Sequence, residues 1–149
     1  MTTNVFRSLH ESPRGYNYRF VVDHTDLTTT ANSTAQDITL ITLPAFSVVK
    51  SAAIYLKTPF QDTADSAFDD LDLIVGDATD DDRFLTATEV NVNGTEILAK
   101  AHPSTTPHAY VAATAVVAKF TPETGKNVAA LNAGEVHIFL EVVQLDTLT

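Results

Sequence analysis

Residues 71–85, Leu-Asp-Leu-Ile-Val-Gly-Asp-Ala-Thr-Asp-Asp-Asp-Arg-Phe-Leu, limit the possible folds more than any other stretch of the chain. Leu71, Leu73 and Val75 fall on one side of an extended backbone, with Asp72 on the other. That two-residue period marks a half-buried strand. Gly76-Asp77 should end it, because glycine reaches backbone angles closed to other residues and aspartate caps its own turn. Asp80, Asp81 and Asp82 then precede Arg83-Phe84-Leu85. Acidic residues suit the free N–H groups at the start of a short helical turn, so we expect strand, acidic turn, short helical turn.

The same alternation recurs along the chain. Residues 16–23 place Tyr16, Tyr18, Phe20 and Val22 on one side. Residues 37–43 do so with Ile38, Leu40 and Thr42, before a stop at Pro44. Residues 47–57 carry Ala52, Ile54 and Leu56 inward and should close at Pro59. Asn93-Gly94 between two alternating runs is a strong hairpin signal. Residues 109–120 form a small-residue apolar run, and 134–143 a last strand with Val136, Ile138, Leu140 and Val142 on one side. Some seven or eight strands and no long helix imply an all-β, single-domain β-sandwich or jelly roll with short helical turns. The boundaries read as an extended N-terminal arm over 1–15 and the sandwich domain over 16–149. Val5, Phe6 and Leu9 give that arm enough apolar surface to dock on a neighbour; a frayed tail is the competing reading.

Charge is concentrated rather than spread. Residues 60–90 hold ten acids, nine Asp and Glu89, against the single base Arg83, a local balance of −9 within a net charge of −10. Such a surface repels phosphate backbones, so nucleic acid is not an expected partner. No run approaches the roughly 18 apolar residues of a membrane span, so no membrane partner is expected either. With no cysteine, disulfides, thiolate metal sites and cysteine nucleophiles are excluded together.

The aspartates and histidines are the residues that could carry chemistry. Asp77, Asp80 and Asp82 have a spacing that suggests a hard cation, but the EF-hand pattern fails. Neither Asp77 nor Asp80 is followed by glycine at the sixth position or glutamate at the twelfth. His10, His24, His102, His108 and His137 are scattered and match no common zinc arrangement. No nucleophile elbow, phosphate-binding loop or dinucleotide fingerprint is present. The expectation is therefore no metal, no cofactor and no enzymatic activity.

The run 73–85, with 37–44 and 130–138 in weaker form, resembles small head proteins of tailed bacteriophages, the capsid decoration (cement) family. That resemblance orders most of residues 37–143. It implies a structural virion protein on the capsid exterior, made in the host cytoplasm. The implied partners are the major capsid protein and further copies of the chain as a homotrimer. Within that frame Phe6, Arg7 and Arg14 of the arm are candidate capsid anchors. Val111, Val116 and Val117 are a candidate oligomer seam, against the plain alternative of an inner strand. A tail, baseplate or head-fibre protein, and a carbohydrate- or calcium-binding β-sandwich, stand as the other readings.

Overall fold

The computed structural model describes residues 1–5, 16–91 and 107–145. The hairpin expected around Asn93-Gly94 and the anchors Phe6, Arg7 and Arg14 lie outside those residues. Nine strands are present among the described residues: β1 (Thr2–Val5), β2 (Tyr18–Asp23), β3 (Gln36–Leu43), β4 (Ser47–Gln61), β5 (Leu71–Gly76), β6 (Leu85–Glu89), β7 (His108–Tyr110), β8 (Thr114–Pro122) and β9 (Ala133–Gln144). The helical content described is two 3-10 turns, His24–Asp26 and Val128–Ala130.

One sheet has the order β1-β2-β9-β4-β7 and the other β3-β8-β5-β6. Every ladder among the described residues is antiparallel. The pairs β2·β9, β3·β8, β4·β7 and β5·β6 are those made by folding one long ribbon in half at the β5–β6 turn and rolling it up. This is the topology of a jelly-roll β-sandwich, with β1 added at one edge. The stretch 71–85 is thus the hairpin at the middle of the roll.

The core lies where the inner faces meet. Phe20, Phe60, Phe68, Phe84 and Phe120 are almost wholly buried, each burial contributing roughly 1.5–3 kcal/mol. Phe60 of β4 meets Phe120 of β8 edge-on at 5.7 Å, joining the sheets. Gly134, at φ +139, lets β9 pass Phe60; a Cβ there would come within 2.2 Å of the ring.

Four expectations are corrected. Residues 85–89 are a strand rather than the end of a helical turn: the Arg83 N–H bonds the Asp80 carbonyl at 3.3 Å, one turn only, and β6 begins at once. β4 runs through Pro59 to Gln61. The proline is tolerated because it sits in the irregularity between Thr58 and Gln61, where β7 no longer runs alongside. Residues 109–120 are not one strand: β7 belongs to the first sheet and β8 to the second, with 111–113 crossing between them. Finally, the arm's first residues are β1, paired with β2 from Thr2↔Val21 to Val5↔Tyr18.

Candidate functional site

The acidic turn is built around Asp77, a carboxylate only 3% exposed. Its Oδ1 accepts the backbone N–H groups of Thr79 at 2.8 Å and Asp80 at 3.1 Å. Oδ2 accepts Arg83 Nε at 2.6 Å and the Tyr110 hydroxyl at 2.7 Å. Burial alone would raise this carboxyl's pKa; the bonds from Tyr110, Arg83 and Thr79 outweigh it and hold the value below the usual 3.8. Burial, then the Asp77 contact, pushes the Tyr110 phenol well up. Arg83 also donates through Nη1 to His108 Nδ1 at 3.3 Å. Because Asp77 and Arg83 follow β5 while His108 and Tyr110 lie on β7, the cluster ties one sheet to the other. Gly76 makes room for it: a Cβ there would sit 2.2 Å from the Asp80 carbonyl oxygen.

Asp77, Asp80 and Asp82 therefore do not converge on a common point. Asp77 is saturated by donors, and the nearest Asp80 oxygen lies 3.7 Å from Arg83 Nη1. A groove of about 540 Å³ lies beside the turn, floored by Ala115 and Val117 of β8 and edged by Asp37, Asp80 and Asp81. Lys119, also in its lining, pairs with Asp81.

The proposed seam residues separate. Val116 is fully buried in the chain's own core, Val117 lies half-buried on the outer face lining the groove, and Val111 is 83% exposed in the 111–113 crossing. Strand alternation alone forces Val116 and Val117 to opposite faces. Val111 instead joins two residues that sequence reasoning missed, Phe46 and Leu145. Phe46 N–H bonds the Tyr110 carbonyl at 2.7 Å and Leu145 N–H bonds the Phe46 carbonyl at 3.0 Å, so the three gather at one corner. Phe46 is 55% exposed and held at φ +63, a left-handed angle rare for an aromatic residue. Its sequence signal was slight: a lone aromatic two residues after Pro44, at a turn.

A second carboxyl cluster closes the other end of the β5–β6 hairpin. Oxygens of Asp70, Asp72 and Glu89 lie within 4.8 Å of one another. Glu89 Oε1 accepts the N–H groups of Leu71 at 3.0 Å and Asn91 at 2.9 Å. Burial, then the neighbouring Asp70, lifts the Glu89 carboxyl to about 7, against backbone bonds that lower it. The outer face of the β1-β2-β9-β4-β7 sheet is unlike this edge: Lys50 pairs with Glu141 and Lys57 with Glu135, around the rings of Tyr55, His137 and Phe139.

No family model matches the chain, and no curated protein matches it. Among solved structures it is similar to a chain of the "Cyanophage Pam1 capsid asymmetric unit", with a TM-score of 0.57 and 21% identity over 88% of this chain and 86% of that one. The likeness is one of fold, spanning nearly the whole of both chains. No helix among the described residues is long and apolar enough to cross a membrane.

Proposed function

We propose that the chain is a structural protein of a bacteriophage virion, and within that class a capsid decoration protein seated on the outer lattice. The observation that carries this reading is the fold-level likeness to a phage capsid chain over 88% of the sequence. Jelly rolls are a recurrent architecture of capsid domains. The corner formed by Phe46, Val111 and Leu145 suits the role, because apolar side chains gathered at an exposed point mark contact surfaces. In this reading the chain is a passive scaffold without catalysis. It associates as a homotrimer, contacts the major capsid protein, and is made in the host cytoplasm before joining the particle.

Particle stoichiometry tests the reading. Quantitative mass spectrometry of purified virions, with antibody labelling in electron micrographs, should find the chain in lattice-like abundance on heads. A few copies confined to the tail would overturn it in favour of a tail, baseplate or fibre component. Sedimentation equilibrium checks the trimer separately: three times the chain mass of 16.1 kDa is expected, and a monomer at all concentrations would remove it.

A further inference from the structure

We propose that the open end of the β5–β6 hairpin is a proton-operated fastening. Glu89 carries a proton on its Asp70 side, and the loss of that proton loosens the join between β6 and β5.

The geometry sets out the parts. The chain leaves β6 at Glu89 and is held to the start of β5 by the Val90 N–H on the Leu71 carbonyl at 2.9 Å. Glu89 Oε1 adds two more bonds at the same join, from the Leu71 and Asn91 N–H groups. A neutral Glu89 keeps that oxygen as the acceptor for both and offers the other as an O–H donor to the Asp70 carboxylate. Its one donor and its carbonyl oxygen are then both used. An ionised Glu89 instead faces Asp70, and Asp72 across the β5–β6 ladder, as three like charges within 4.8 Å.

Among the described residues, charges brought by the neighbouring elements do not relieve this. From β8, Thr121 opposite Asp72 is uncharged and Lys119 is turned to Asp81. Beyond β8, Glu123 adds another acid, its carboxylate on the Asp69 N–H at 2.9 Å. From β4, Phe60 and Gln61 carry no charge, and Lys126 pairs with Asp65. The direction of titration agrees: the Glu89 carboxyl rises from 4.5 to about 7, burial first and Asp70 after, and Asp72 is raised by burial and by Asp70.

The sign follows from linkage. A carboxyl whose folded value lies above its unfolded one binds more protons when folded. Its contribution is complete below 4.5 and is lost as the pH rises through about 7. The test is urea unfolding of the full chain from pH 4.5 to 8.5 in a chelating buffer, for the wild type and Glu89→Gln. The glutamine keeps the oxygen acceptor and supplies a permanent N–H donor to Asp70. The wild-type midpoint should fall across the window and that step should vanish in the variant, which should be at least as stable at pH 8. An unchanged step in the variant overturns the proposal. Should the variant not fold, the side-chain ¹³C titration of wild-type Glu89 decides alone: a midpoint near neutrality supports it, and one in the ordinary carboxylate range overturns it.

Discussion

At the closed end of the β5–β6 hairpin Asp77 faces Arg83 and Tyr110, while at the open end Glu89 faces Asp70 and Asp72. Both carboxyls accept two backbone N–H groups, and both feel burial as a force toward the neutral form. Their remaining neighbours differ. A guanidinium and a phenol lower the pKa of Asp77, whereas more acid raises that of Glu89. A hairpin this acidic thus holds one charge as a strut and discharges another. The density of aspartates in a sequence says nothing about which carboxyl will do which.

The strongest way to break this contrast is Asp77→Ala. It removes the closest ion-pair partner of the part-buried Arg83, leaves the Tyr110 hydroxyl and the Thr79 N–H without their acceptor, and should cost about 3–5 kcal/mol in urea unfolding. Tyr110→Phe removes one bond to a charged acceptor and should cost about 1.5–3 kcal/mol by the same measurement. These costs have a pH signature opposite to that of Glu89. Because the folded value of Asp77 is lowered, its contribution is present above 3.8 and is lost as the pH falls through the folded value. The gap between wild type and Asp77→Asn should therefore close in acid, while the gap between wild type and Glu89→Gln opens toward neutral pH. Thermal melts at pH 3, 5 and 8 read both. The smallest effect belongs to Lys119→Ala on the acid-edged groove. Its partner Asp81 is 60% exposed, so the loss should stay below about 1 kcal/mol and shrink further in salt.

Much of the roll was legible from local pattern. Phe20, Val22, Ala52, Ile54, Leu56, Leu71, Leu73, Val75, Val136, Ile138 and Leu140 alternate in sequence and are buried in the fold. β6 escaped notice because its buried positions, Leu85 and Thr88, neither alternate nor are both apolar. Similarly, β3 buries Leu40 and Leu43 because a bulge between Thr39 and Ile41 resets its phase. Val116 and Val117 illustrate the limit from the other side: adjacent, alike in chemistry, and separated by the thickness of a sheet. The aspartate spacing suggested a shared ligand, whereas the fold gave Asp77 a partner 33 residues away.

What the sequence by itself determined was the extended character of the segments, the inward side of most of them and the place of the central turn. Each follows from a period of two residues and from the turn chemistry of Gly76-Asp77, both local properties. Only the tertiary structure decided which strands lie side by side, which carboxyl meets a cation and which meets another acid, and where Phe46 and Val111 come together. Those outcomes depend on contacts between residues distant along the chain, whose approach is settled by packing the two sheets against each other.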